Sequence, residues 1–104
     1  MDRGTLLAQV KDAVLGIEPT AEVILYGSRA RGDSNADSDW DFLILVDGRV
    51  DDGRVDAIRH SLYEIEWKSD QVLSSIVRNR DQWNSRPLKG TPFHRNIELE
   101  GIAL

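Results

Sequence analysis

The chain has no cysteine, so it has neither a disulfide framework nor a thiolate metal site. It also has no long apolar run. The longest, Phe42 to Val46, has five residues, far short of the ~20 that a membrane-spanning helix needs. Its start, Met1-Asp2-Arg3-Gly4, lacks the apolar core of a signal peptide. A soluble cytoplasmic protein is therefore expected. Histidine occurs only as His60 and His94, with no partner at metal-ligand spacing, and each reads as an ordinary surface or helix residue. No Ser-His-Asp order suggests an acyl-transfer triad. Basic charge is scarce: thirteen Lys and Arg against eighteen Asp and Glu give a net charge of −5. Between residues 33 and 56, eight aspartates face only Arg49 and Arg54. Such a surface repels a nucleic-acid backbone and argues against a DNA-binding role, though not against a nucleotide carried with its metal.

What is present fits one small domain over residues 1–104, with 40% hydrophobic residues and no internal repeat. Leu6, Val10, Ala13, Val14 and Ile17 follow helical spacing and predict a first amphipathic helix, broken at Pro19-Thr20. A first strand is expected over Glu22 to Tyr26 and a second over Trp40 to Val46. Val55, Ile58 and Leu62 predict a second helix. Tyr63, Ile65 and Trp67 alternate with Glu64 and Glu66 and predict a third strand, with Lys68-Ser69-Asp70 as a hairpin turn into a fourth over Gln71 to Val77. Trp67 and Trp83 are expected in the core. Asp81-Gln82-Trp83 reads as one helical turn, and Pro92 suits the first position of a short last helix carrying Phe93 and Ile97 on one face. The expected fold class is α+β, a small mixed sheet with helices packed on one side.

The chemistry gathers between the first two strands. Gly27-Ser28 follows the apolar Val23-Ile24-Leu25-Tyr26, where glycine allows a sharp turn and close approach of a phosphate. Ser28 offers a hydroxyl and can open a short helix whose free N–H groups favour an anion. Arg29 and Arg31 lie within reach of that anion. No Gly-Lys-Ser/Thr follows, so this is not a Walker A loop. Asp39 and Asp41 alternate with Trp40 and so share one face at the mouth of the second strand. At ~6 Å and an effective dielectric of ~20, two carboxylates repel by roughly 3 kcal/mol. A magnesium ion, which takes one or two carboxylates plus phosphate oxygens, would neutralise them. Either motif alone is an ordinary turn or a solvated strand end; their coupling points to a site.

Ten residues, Arg29 to Ser38, separate Ser28 from Asp39. Glycine-serine, ten residues, Asp-x-Asp resembles the signature of the DNA polymerase beta nucleotidyltransferase superfamily, in particular its minimal nucleotidyltransferase group. The stretch from Thr91-Pro92-Phe93 to Glu100-Gly101-Ile102 is also similar to the end of small bacterial members. The resemblance implies transfer of a nucleoside monophosphate, AMP from ATP, to an acceptor hydroxyl. It implies that Gly27 and Ser28 hold the triphosphate tail and that Asp39 and Asp41 are catalytic and bind magnesium; Arg31, from its place beside the turn, is read as a further nucleotide contact. It also implies a third carboxylate on a later strand, near Ser74, where this chain has none. Glu64 and Glu66 either substitute for it or simply line the wet face of the expected third strand. The group's pairing with small helical HEPN proteins in toxin–antitoxin modules makes such a protein a candidate partner and acceptor. Two readings stay open: a metal-dependent nucleotidyltransferase, or an antitoxin-like module that binds nucleotide with weak catalysis.

Overall fold

The computed structural model describes residues 1–104. Helix α1 (Arg3–Ile17) is followed by strand β1 (Glu22–Tyr26), the one-turn helix α2 (Ser28–Arg31) and strand β2 (Trp40–Val46). Helix α3 (Asp52–Ser69), strand β3 (Leu73–Asn79), helix α4 (Arg80–Trp83), a 3-10 turn (Leu88–Gly90), helix α5 (Pro92–Glu100) and strand β4 (Ile102–Ala103) complete the chain. The strands form one mixed sheet in the order β3-β2-β1-β4. β2 runs antiparallel to β1 and parallel to β3, and β4 runs antiparallel to β1.

β2 takes an inner position because Phe42 to Val46 are all buried, leaving no polar face to turn to water. Phe42, Ile44 and Val46 face one layer, with Val23 and Leu25 of β1 and Leu73 and Val77 of β3. Two helices close that layer. α1 contributes Leu6, Val10 and Val14, four residues apart, and α3 contributes Ile58, Leu62 and Ile65. Each helix starts on an aspartate cap: Asp2 accepts from the Thr5 N–H at 2.7 Å and Asp51 from the Arg54 N–H at 2.8 Å. Burying side chains of this size stabilises the fold by about 1.5–3 kcal/mol apiece. On the opposite layer Leu43 and Leu45 meet Trp83 of α4 and Ile97 of α5. The two long helices thus share one face of the sheet, and the short α4 and α5 cover part of the other.

The expected hairpin of third and fourth strands is replaced by a crossover. Tyr63 to Trp67 is not a strand but the last third of α3, which runs on to Ser69. Ile65 completes the helical series with Ile58 and Leu62, and it is the only buried member of the alternating trio; Tyr63 is 46% and Trp67 88% exposed. Trp67 is therefore a surface residue, whereas Trp83 is buried as expected. Lys68-Ser69-Asp70 is the helix end, closed by Asp70 in the left-handed region at φ 54. The strand expected from Gln71 begins at Leu73 and, reached through a helix, lies parallel to β2. His94 is a helix residue but not a surface one: it is buried against Trp83, with ring centroids 4.6 Å apart.

Candidate active site

β1 ends at Tyr26, and the backbone turns at Gly27 with φ 76. The Gly27 carbonyl accepts from the N–H groups of Ala30 and Arg31, both at 3.0 Å, which winds Ser28–Arg31 into α2. Gly32, at φ 83, stops the helix. The chain then returns through a polar loop in which Asn35 Oδ1 accepts from the Asp37 N–H at 2.9 Å, and enters β2.

Arg29 and Trp40 hold that entry in place. The Arg29 guanidinium donates to the Ser38 carbonyl at 2.9 Å and to Gln71 Oε1 at 3.3 Å, and lies 4.4 Å from the Trp40 ring centroid. Trp40 Nε1 donates to the same Gln71 Oε1 at 3.0 Å. Arg29, read in the sequence as within reach of the anion, here turns its Nε and Nη2 groups to the loop that carries Asp39 and to Gln71. Trp40 packs in the core, as its alternation with the aspartates requires.

Asp39 and Asp41 stand on the sheet face opposite α1 and α3. Asp41 is paired in register with Tyr26 on one side and with Ser74 on the other. Burial, then the neighbouring Asp39 charge, raise the Asp41 carboxyl above its ordinary value, while the Arg31 charge acts against them. Burial and Asp41 likewise raise the Tyr26 hydroxyl. Gly27 reaches the same point: a Cβ built on it would lie 2.5 Å from Asp41 Oδ2. The turn and the Asp41 carboxylate are therefore in contact, with Ser28 next in the chain. Arg31 is near but engaged, donating to Asp33 Oδ2 and to Glu100 Oε2, each at 3.1 Å.

The position opposite Asp41 on β3 is Ser74, where the resemblance implies a further carboxylate. Glu64 and Glu66 do not supply it. Both belong to α3, on the other side of the sheet; Glu64 pairs with Lys68 at 3.0 Å and Glu66 accepts from the Leu73 N–H at 3.0 Å. No three His, Cys, Asp or Glu side chains gather as a metal cluster anywhere in the chain. Two carboxylates on one face remain, a donor set of the kind magnesium takes when phosphate oxygens complete its shell.

The contribution of α5 was not legible beforehand. Phe93 meets Tyr26 edge to face at 5.6 Å between centroids, and Glu100 holds Arg31, so α5 borders the turn. The sequence offered Phe93 and Ile97 on one helix face and the resemblance of the stretch from Thr91 to Ile102, neither of which places the helix beside the turn.

A mixed sheet that brings a Gly-Ser turn against an Asp-x-Asp strand defines a nucleotidyl-transfer fold. The model of the nucleotidyltransferase domain matches residues 7–103, and this chain belongs to that family, with the minimal type of domain. It is a transferase, and nucleotidyl transfer is its reaction class. It is similar to a protein of Methanocaldococcus jannaschii named "putative protein adenylyltransferase", with 35% identity over 83 residues, 80% of this chain and 76% of that protein. No helix is long and apolar enough to cross a membrane.

Proposed function

We propose that this protein transfers AMP from ATP to a hydroxyl of a partner protein, with Gly27 and Ser28 on the triphosphate, Asp39 and Asp41 holding magnesium, and Arg31 as a further phosphate contact. The observation that carries this reading is the contact between the Gly27 turn and the Asp41 carboxylate. Glycine there lets the Asp41 carboxylate sit directly against the turn that we assign to the triphosphate, and Asp41, raised by burial and by Asp39, calls for a neutralising cation. Bound magnesium would offset the charge of the two aspartates and of the phosphates and polarise the phosphate oxygens.

The residues of the chain then do the following. Gly27 and Ser28 fix the triphosphate tail. The clamp of Arg29, Trp40 and Gln71 fixes the strand entry that carries both aspartates. The acceptor oxygen bonds to the α-phosphorus, the bond from that phosphorus to the bridging oxygen breaks, and pyrophosphate leaves. The acceptor proton has no carboxylate waiting opposite Asp41, because Ser74 stands there, and passes to solvent water. Positioning by a bound partner offsets that loss, since correct orientation is worth up to roughly 7–11 kcal/mol of barrier. A small helical protein of the HEPN type, encoded beside this chain in a toxin–antitoxin pair, is the partner we propose, in the cytoplasm, where ATP and magnesium are at hand.

The test is incubation of the protein and its neighbouring gene product with magnesium and ATP labelled at the α- or the γ-phosphate. AMP transfer labels the partner from the α-position only, and Asp41→Asn abolishes it. A label from the γ-position, or one that survives Asp41→Asn, refutes the reading. Ser74 also favours a second reading, a nucleotide-binding antitoxin module of weak catalysis, which predicts magnesium-dependent ATP binding with no label from either position.

A further inference from the structure

We infer that the cavity between the Gly27 turn and α5 is a nucleobase subsite, in which Phe93 stacks on the base and Asn96 reads its edge. The inference rests on the phosphate-turn reading above and deepens it. The cavity measures about 180 Å³ and is lined by Tyr26, Gly27, Arg31, Phe93, Asn96 and Glu100, among others. It shares Gly27 with the aspartate site, so a molecule with its phosphates at the turn runs directly into it. Its size decides what part of that molecule enters. Pockets that enclose a whole drug-sized ligand hold about 300–1,000 Å³, and this one has room for a single heterocycle.

Its walls suit a base. Phe93 is 39% exposed, and its ring is held edge to face by two neighbours, Tyr26 at 5.6 Å and 85° and Trp83 at 5.7 Å and 86°. A ring fixed by two perpendicular contacts offers its remaining surface as a rigid stacking platform. Asn96 lies one helical turn further along the same face of α5. Its carboxamide carries a donor and an acceptor side by side, the pair that matches the amino group and ring nitrogen of adenine. The Arg31–Glu100 ion pair at 3.1 Å joins α2 to α5 and sets the spacing of the two walls. A purine offers the ring a larger stacking face than a pyrimidine, so the subsite favours ATP over UTP.

The test is calorimetric titration of magnesium tripolyphosphate, magnesium ATP and magnesium UTP into the wild type, Phe93→Ala and Asn96→Ala. The wild type binds ATP more tightly than tripolyphosphate. Phe93→Ala weakens ATP by about tenfold, within the range of a lost base stack, and leaves tripolyphosphate unchanged. Asn96→Ala, at an exposed position that the fold does not need, weakens ATP several-fold and leaves tripolyphosphate unchanged. The subsite is refuted if wild type binds ATP no better than tripolyphosphate, or if both variants weaken the two ligands equally; the phosphate turn then still stands. If tripolyphosphate itself fails to bind, the phosphate reading falls and the subsite falls with it.

Discussion

Gly27 and Asp41 are in contact only because Gly27 has no side chain: a Cβ there would come within 2.5 Å of Asp41 Oδ2. Gly32, five residues on, shares a positive φ, 83 against 76, but at ψ 11 it lies in the ordinary left-handed region with open space where its Cβ would be, whereas Gly27 at ψ −160 lies where essentially only glycine is found. Gly32 is thus a control for a positive φ away from the site. Gly32→Ala should cost about 1–2 kcal/mol of stability, the ordinary penalty of a side chain in left-handed backbone, and keep affinity for magnesium ATP. Gly27→Ala should cost more in stability than Gly32→Ala, from its glycine-only backbone angles and its contact with Asp41, and lose nucleotide affinity at least tenfold. Thermal melts and calorimetry on both variants check this; equal affinities would show that the turn is structural.

Asp41 gives a pH signature. Its folded value is raised above the ordinary 3.8 by burial and by Asp39. In the window between 3.8 and the raised value the native state binds more protons than the unfolded chain, so this group's contribution falls as pH rises. Asp41→Asn removes that loss. The melting temperature of Asp41→Asn relative to wild type should therefore increase as pH rises through the window, the other carboxylates being common to both. Magnesium at neutral pH should raise the melting temperature of wild type and leave Asp41→Asn unmoved. A difference that is flat with pH would mean that Asp41 is not destabilised by its surroundings.

Arg31 is held by Asp33 and Glu100 and would have to exchange a carboxylate for a phosphate. Both pairs are largely exposed, so losing one should change stability little. Glu100→Gln should free Arg31 and tighten magnesium tripolyphosphate binding by a few-fold. Arg31→Ala should weaken the same ligand. If neither variant changes its affinity, Arg31 is a structural strut between α2 and α5.

The strands that carry these residues were legible because their patterns are local. Val23-Ile24-Leu25-Tyr26 before a glycine, and five apolar residues after Asp-x-Asp, allow few other readings. Residues 63 to 67 failed for a physical reason: over five residues, alternation of period two and helical spacing place Ile65 equally well, and only its relation to Ile58 and Leu62 separates them. The surroundings of the site were hidden because their contacts are distant in sequence. Arg29 meets Gln71 forty-two residues later and Arg31 meets Glu100 sixty-nine residues later. No spacing rule reaches that far, so Arg29 and Arg31 look alike in the sequence and differ in the structure. The place near Ser74 came from the resemblance and an expected hairpin strand; the structure keeps Ser74 opposite Asp41 but reaches it through α3, in a parallel pairing that the expected hairpin did not contain.

Ser74 provides the last prediction. It lies directly opposite Asp41 on an edge strand and is exposed, so Ser74→Asp has room for a carboxylate without repacking the core. A third negative charge there should lower the melting temperature without magnesium, by adding to the repulsion that already raises Asp41, and magnesium should restore it. If transfer is limited by the lack of a group to take the acceptor proton, Ser74→Asp should speed pyrophosphate release. General bases contribute about 10²–10⁴-fold where their placement is good, and a grafted one should reach the lower end of that range. Pyrophosphate release with magnesium ATP and the partner, measured for wild type, Ser74→Asp and Ser74→Asn, distinguishes the cases. Acceleration by Asp but not by Asn identifies the missing proton acceptor; no acceleration by either means that the partner already supplies it or that the chemical step is not limiting.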